Sequence, residues 1–284
     1  FRRKPAFSLF DSPLSPLKFP EIAVDVFLAA GRHGIPVFIA NLPIAGATGP
    51  LPLAGMVQLL HAELLAGVAI CQSAHPGAPV FLHPLAMTMD LRSGLGLSAS
   101  VESTMITAGI TQVANEVFGL PVDVHGPWSD TFLADSQSAL ERTFQTLFPA
   151  LSGAASIAGF GDVQEGLAFC PVQLGIDEEL IGLTMKALGG IPFDEERLSV
   201  EAIERVGFGG DFLTDPTTRK YSRTDYFQPK ISNRLFREEW ERLGAKDLNA
   251  LAKERVAKLM SDHRPATLDE SVRRELAKVV AGFV

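Results

Sequence analysis

The sequence predicts an α/β protein built on a parallel β-sheet. Short apolar runs that end in Gly, Pro, Asn or Asp alternate with amphipathic segments, and this alternation repeats about five times. Such alternation is typical of βαβ units, in which successive strands pair in parallel. The predicted strands are Ala6–Phe10, Pro36–Ala40, Val80–Pro84, Val122–His125 and Ser156–Gly159.

The helices between these strands are predicted from apolar residues at helical spacing. In the second helix, Leu53, Val57, Leu60, Leu64 and Val68 form one stripe, which follows the 3.6-residue period of a helix face. The last helix of the repeat ends before two glycines, a common stop for a helix. The predicted helices are Glu21–Ala30, Leu53–Gln72, Ser100–Phe118, Ser136–Leu147 and Asp177–Leu188.

Beyond this repeat the sequence changes character. Phe193–Val206 predicts one more helix, Gly209–Asn233 a polar loop, and Leu235–Val284 a charged, helical segment with a narrow apolar stripe. We therefore expect two regions: residues 1–207 as part of a (β/α) barrel, and residues 208–284 as a loop and a helical extension that packs on the barrel.

The predicted strands are too few for a closed (β/α)8 barrel. Either about three further strands precede Phe1, or the sheet is open and leaves an edge strand with unpaired backbone groups. The chain begins with Phe rather than Met, within a predicted element. We expect an incomplete barrel that forms the later part of a longer protein.

Composition excludes several classes of function. The chain has 284 residues, of which 46% are hydrophobic and 20% charged, as in globular proteins. A net charge of -8 argues against a nucleic-acid surface. Cys71 and Cys170 are too few and too far apart for a disulfide framework or a zinc site. No unbroken run of about 18 apolar residues is present, so we expect a cytoplasmic protein without a membrane partner.

An ordered set of motifs resembles the trimethylamine methyltransferase family. The glycine-rich loop Ala45–Gly55 is followed by Glu63–Gly67 and His75–Pro79. Further along, Gly119-Leu120-Pro121 precedes a strand, Asp130 through Asp135-Ser136-Gln137 follows it, and Gly207–Pro229 completes the set. The resemblance covers essentially the whole chain, and family members also have a substantial N-terminal part that this chain lacks.

The resemblance implies a TIM barrel that binds a small methylated amine and docks a separate corrinoid protein. The corrinoid would be carried by that partner and not by this chain, and a homo-oligomer is expected. Some family members carry pyrrolysine, for which the expected place is near His125–Asp130, where ordinary residues stand. The chain therefore resembles the glycine betaine methyltransferases, the members without pyrrolysine that act on quaternary amines.

The chemistry of methyl transfer to cobalt requires little from the protein, because the cofactor supplies the nucleophile. A fully methylated nitrogen has no N–H group, so aromatic faces and a nearby carboxylate are the groups that bind it best. In a barrel, these groups lie at the carboxyl ends of the strands. The candidate substrate-binding residues are Asn41, His83, Asp90, His125, Trp128, Phe160, Glu165 and Phe169.

Each candidate also has a purely structural interpretation. His83 and His125 could be barrel histidines with satisfied hydrogen bonds, Phe160 and Phe169 could belong to the core, and Asp90 and Glu165 could be surface charges or helix caps. At the level of function, the alternative is a truncated or degenerate barrel that binds a betaine-like ligand or a partner without turnover. An aldolase-like barrel would need a Lys at the end of a strand, and we find none.

Overall fold

The computed structural model of the protein describes residues 5–282. Phe1–Lys4 of the predicted barrel portion and the last two residues of the predicted extension, which ends at Val284, lie outside the described residues. The strands are β1 (Leu9–Asp11), β2 (Val37–Asn41), β3 (Ile44–Ala45), β4 (Val80–Pro84), β5 (Met87–Asp90), β6 (Leu95–Leu97), β7 (Asp123–His125), β8 (Ser156–Ala158), β9 (Asp162–Val163) and β10 (Ala168–Phe169). The helices are α1 (Glu21–His33), α2 (Leu53–Ala74), α3 (Val101–Val113), α4 (Ser136–Leu151), α5 (Pro171–Leu188), α6 (Glu195–Leu198), α7 (Val200–Val206), α8 (Pro216–Tyr221), α9 (Arg237–Arg242), α10 (Leu248–Asp262) and α11 (Glu270–Ala281).

The five predicted strands are parallel and lie in chain order, which confirms their predicted parallel pairing, but they form a three-stranded sheet and a two-stranded sheet rather than one continuous sheet. β1 pairs with β2, β2 with β4, and β7 with β8, each in parallel. A single parallel bridge between Leu82 and Val122 joins β4 to β7, and Leu82 N–H donates to Pro121 O at 3.0 Å. The strands of the described residues form no closed barrel.

The helices between the strands form one layer. α1 packs on α2, α2 on α3, α3 on α4 and α4 on α5, so each helix contacts the next along the chain. Because right-handed crossovers of consecutive parallel strands deliver every helix to the same side, one face of the sheet is covered by helices; the opposite face, which these helices do not cover, is called the concave face below.

The main core lies between the sheet and this helix layer. Alternate strand residues such as Val37, Ile39, Leu82 and Val122 are buried against the helices. Since successive side chains of a strand point to opposite faces, the residues between them lie on the concave face. The positions of the buried aliphatic residues in each strand therefore determine which polar and aromatic residues face away from the helices.

Helix α2 shows how closely the two layers approach. A Cβ built on Gly67 would lie 2.4 Å from Cγ2 of the buried Ile39 in β2, so only glycine fits there without a shift. Within the described part of the chain, α2 is the one helix long and apolar enough to cross a membrane, a test that core helices of soluble proteins also pass. α2 packs against β2 and β4, and its Glu63 is fully buried.

Several predicted loops and helices differ in detail from the structure. The predicted helix that begins at Ser100 uses Ser100 as its N-cap, and it ends in a π-helical turn at Ala114–Phe118. The loops after β2, β4 and β8 are not irregular, since they contain the short strands β3, β5, β6, β9 and β10. The single helix predicted for Phe193–Val206 is broken at Ser199, which has φ +56°.

The C-terminal extension packs on the helix layer. In α10, Ala252 and Val256 lie against Gly175 of α5, where an added Cβ would come within 2.9 Å of Val256. Arg255 of α10 donates to Glu178 of α5 at 2.8 Å. α10 thus extends the row of helices past α5, whereas the side chains of α11 are exposed.

Candidate active site

The concave face of the sheet carries aromatic and ionisable side chains. Phe38 of β2 stacks on Phe81 of β4, with ring centroids 5.0 Å apart. The His83 ring meets both Phe10 and Phe38 edge-on, at 5.3 and 6.0 Å, and the ring of His125 in β7 lies 5.9 Å from it. Each of these ring-bearing residues lies either two positions along its strand from another concave-face residue or directly opposite one in the neighbouring strand. The two-residue period of the strands therefore brings the rings together.

The histidine of β4 is paired with a buried carboxylate of β7. His83 Nδ1 lies 2.7 Å from Asp123 Oδ2, and both side chains are buried. The other carboxylate oxygen accepts a hydrogen bond from Ser156 Oγ of β8. Because a carboxylate accepts, Nδ1 of His83 is the donor of this hydrogen bond. The pair therefore fixes the orientation of the imidazole between three strands.

A second histidine–carboxylate pair lies nearer the carboxyl edge. His125 Nε2 is 3.4 Å from Asp162 Oδ2. Burial, followed by the nearby His83, lowers the pKa of His125 below its usual 6.5, against the opposing effect of Asp162. The ring lies over Gly159, which has φ +90° and where a Cβ would be 2.9 Å from Nε2. A glycine at the end of β8 thus makes room for the imidazole.

Trp128 completes the ring cluster. Its indole lies 4.8 Å from the His125 ring, tilted by 57°. The indole Nε1 is buried and has no hydrogen-bond partner among the described residues. An unpaired buried N–H is costly, so this donor is open to a group that binds at the site. The indole lies beside Gly166 of the β9–β10 hairpin.

Polar side chains of α4 hold the loop that carries Trp128. Gln145 Oε1 accepts from Trp128 N–H at 2.6 Å. Glu141 Oε2 accepts from Ser129 Oγ at 2.7 Å and from Asp130 N–H at 3.0 Å. These contacts satisfy loop backbone groups that would otherwise be unpaired, and they fix the indole relative to His125.

Asp130 in turn fastens the segment before α3. Its carboxylate accepts from Ser98 N–H at 3.0 Å, from Ser98 Oγ at 2.8 Å and from Ala99 N–H at 3.1 Å. A cavity of about 20 Å³ lies beneath, lined in part by Thr104, Thr107 and His125. That volume is about the size of one water molecule.

The structure brings some predicted site residues together. His83, His125 and Trp128 form one cluster on the concave face. Glu165 lies in the β9–β10 hairpin, where its N–H donates to Ser129 O at 3.1 Å; burial and the neighbouring Asp130 raise the pKa of its carboxyl group. These four residues lie at the carboxyl edge of the sheet.

The other predicted site residues lie apart from this cluster or at its border. Asn41 is on the helix side of β2, where its Nδ2 donates to Glu63 Oε2 at 2.9 Å. Asp90 closes the β5–β6 turn by accepting from Arg92 N–H and Ser93 Oγ. Phe169 is largely exposed on β10 and covers Gly161, and Phe160 is partly buried in the preceding loop.

Two carboxylates that the structure pairs with the histidines were not predicted from the sequence. Asp123 lies two residues before His125 in one strand, and strand alternation alone places both on the same face. Asp162 follows the end of β8, so its position at the carboxyl edge was also available from the sequence. Among residues 5–282, no group of three or more His, Cys, Asp or Glu side chains could hold a metal ion.

Comparison with known proteins adds independent support. The model of the trimethylamine methyltransferase (MTTB) family matches residues 6–282. Trimethylamine methyltransferase MttB of Methanosarcina thermophila is 37% identical over 97% of this chain and 56% of its own length. The MttB protein of Desulfitobacterium hafniense DCB-2 is 33% identical over 98% of this chain and 56% of its own length.

A glycine betaine methyltransferase is also similar. The enzyme of Desulfitobacterium hafniense Y51 is 30% identical over 99% of this chain and 58% of its own length. The chain thus spans little more than half the length of the curated relatives it matches. The family match extends over almost every residue, so the chain belongs to the trimethylamine methyltransferase family.

Proposed function

We propose that the protein to which this chain belongs transfers a methyl group from a methylated amine, such as trimethylamine or glycine betaine, to the cobalt of a separate corrinoid protein. The observation that carries the proposal is the grouping of Trp128, His125 and Asp162 at the carboxyl edge of the sheet in a chain of this family. Parallel α/β proteins place their sites at this edge.

The cluster has the chemistry that a methylated ammonium group requires. A quaternary ammonium cation, which has no N–H group, interacts with the π face of Trp and with a carboxylate. The indole of Trp128 and the carboxylate of Asp162 both neighbour the same imidazole. We propose that the ammonium group binds beside His125, between the indole and the carboxylate.

The protonation state of His125 agrees with this role. Because burial and His83 lower its pKa, the imidazole is neutral at neutral pH and adds no positive charge next to the bound cation. A quaternary amine leaves as a neutral tertiary amine, so the transfer needs no proton from His125. The tasks of the chain are to bind, to exclude water and to align the methyl group.

The methyl acceptor requires access from outside the chain. His125 and Asp162 side chains are 29% and 23% exposed, whereas those of His83 and Asp123 are 6% and 9% exposed. A methyl group bound beside His125 is therefore reachable from the open edge, which fits an acceptor on another protein. The reduced cobalt of that corrinoid protein would supply the nucleophile.

For the fold, we propose that the five parallel strands are part of a (β/α)8 barrel closed by the rest of the protein. All helices between these strands lie on one side of the sheet, as in a barrel, while a doubly wound sheet has helices on both faces. Phe10 is 56% exposed on the concave face, so closure of the barrel would bury an aromatic surface.

A methyl-transfer assay with the full-length protein tests the function. Reduced cobalamin, followed by its absorbance, would be incubated with the protein and with trimethylamine, glycine betaine or no amine. We expect amine-dependent methylation that is lost in the Asp162→Ala variant. Binding of a methylated amine without any transfer, to free cobalamin or to a corrinoid protein, would instead support the alternative of a binding protein without turnover.

A further inference from the structure

A buried ion pair behind the His125 cluster has no part in the binding site itself. Arg142 of α4 and Asp177 of α5 are 1% and 0% exposed. Arg142 Nε donates to Asp177 Oδ1 at 2.8 Å, and its Nη2 donates to Oδ2. Gln173 Nε2 donates to the same carboxylate at 2.9 Å, so the buried charges are fully hydrogen-bonded.

Both partners also bind the chain where the β8–β9 loop meets β9. Asp177 Oδ2 accepts from Gly161 N–H at 2.7 Å. Arg142 Nη1 donates to the carbonyl oxygen of Asp162 at 2.6 Å. Two consecutive residues, the last of the loop and the first of β9, are therefore fixed, one through its N–H and the other through its C=O.

Stability alone does not explain such a pair. Replacing a buried ion pair with apolar residues is often neutral or stabilising, because the desolvation of two charges offsets their attraction. Arg142 lies where its guanidinium spans from Asp177 to the loop carbonyl. A planar group with several donors in fixed directions makes these contacts together, which a Lys cannot do.

We propose that Arg142 and Asp177 are positioning residues for Asp162: they hold the Gly161–Asp162 segment so that the Asp162 carboxylate faces His125. The proposal rests on the proposed function, in which that carboxylate meets the bound cation. The guanidinium of Arg142 holds the backbone carbonyl of Asp162, and the carboxylate of Asp162 then lies 3.4 Å from His125 Nε2.

The variants for the test are Asp177→Asn, Arg142→Lys and Asp162→Asn, in the full-length protein. The control is Glu178→Gln. Glu178 is the next residue of α5, and its substitution removes an ion pair with Arg255 of α10 without removing a contact to the Gly161–Asp162 segment. The readout is the NMR titration of the His125 ring, identified by its loss in a His125→Asn variant. This readout depends on the carboxylate next to His125 and not on overall stability.

We expect Asp162→Asn to lower the pKa of His125 further, by about one pH unit. An opposite charge within ~4–6 Å shifts the pKa of a buried group by about 1–3 units, and it shifts the pKa of a partly exposed group less. Asp177→Asn and Arg142→Lys should shift it in the same direction, and Glu178→Gln should leave it unchanged. In a methyl-transfer assay, Asp177→Asn and Arg142→Lys should lower kcat/KM, as Asp162→Asn does.

Two results would overturn the proposal. One is a His125 titration that is shifted in Asp162→Asn but unchanged in both Asp177→Asn and Arg142→Lys; the other is no shift in Asp162→Asn. If Asp177→Asn does not fold, Arg142→Lys retains the buried charge and decides the matter. Absence of methyl transfer in the wild type would count against the proposed function, whereas the titration tests the loop independently.

Discussion

The contact between α2 and β2 makes a quantitative prediction about two helix glycines. Gly67 of α2 lies against Ile39, whose Cγ2 would be 2.4 Å from a new Cβ. Gly109 of α3 lies in ordinary contact with Val57, at 3.6 Å from a new Cβ. Both are helix-interior glycines with helical backbone, so Gly→Ala should gain about 1 kcal/mol of helix propensity at each position.

The two substitutions should therefore differ only in the clash. Overpacking of a buried site costs about 1–3 kcal/mol, and Ile39 is fully buried and branched at Cβ, so its methyl group has little freedom to move. We expect Gly109→Ala to raise the free energy of unfolding by about 1 kcal/mol. The free energy of unfolding of the Gly67→Ala variant should be lower than that of the Gly109→Ala variant by about 1–3 kcal/mol.

Urea unfolding followed by circular dichroism measures both values, with the slope m as a check that the unfolding transition is the same. A double-mutant cycle of Gly67→Ala with Ile39→Ala adds a direct test, because removing the Ile39 side chain should relieve the clash and give a favourable coupling energy. Equal effects of the two Gly→Ala changes, or zero coupling with Ile39, would refute the packing of α2 on β2.

Two further predictions concern titrating groups. His125 has a lowered pKa in the folded protein, so its contribution to stability is present above about pH 6.5 and is lost as the pH falls through the folded pKa; in urea unfolding below that pH, His125→Gln should flatten the loss of stability relative to the wild type, and an unchanged slope would contradict this. Burial raises the pKa of the Cys71 thiol to about 11, whereas Cys170 is partly exposed; iodoacetamide at pH 8 should therefore label Cys170 first in mass spectrometry, and faster labelling of Cys71 would show that its surroundings open.

Strand periodicity explains which parts of the site were predictable. The parallel strands and their carboxyl ends follow from the alternation of apolar runs and helices, and in the structure His83, His125 and Trp128 lie together at that edge. Asn41 also ends a strand, yet it shares the helix-side alternation of Val37 and Ile39. A count of two along each strand would have separated Asn41 from the concave face.

Other features depend on contacts that no local pattern encodes. The Arg142–Asp177 pair joins two helices 35 residues apart, and nothing in either helix distinguishes these residues from surface charges. The β5–β6 and β9–β10 hairpins are short strands in segments rich in polar residues and glycine, where loop and strand signals overlap. The predicted single helix from Phe193 fails because Ser199 adopts the left-handed conformation, which a helix pattern does not reveal.

Calorimetric titration of the full-length protein with glycine betaine tests the central claim most directly. A cation–π contact in a desolvated site contributes about 2 kcal/mol, so Trp128→Ala should weaken binding by about thirtyfold. The control is Trp240→Ala, which removes the chain's other tryptophan from α9, where its indole donates to Lys246 O. We predict the thirtyfold loss for Trp128→Ala alone; equal affinities of wild type and a folded Trp128→Ala variant would contradict the site, and no binding of glycine betaine or trimethylamine by the wild type would contradict the substrate class.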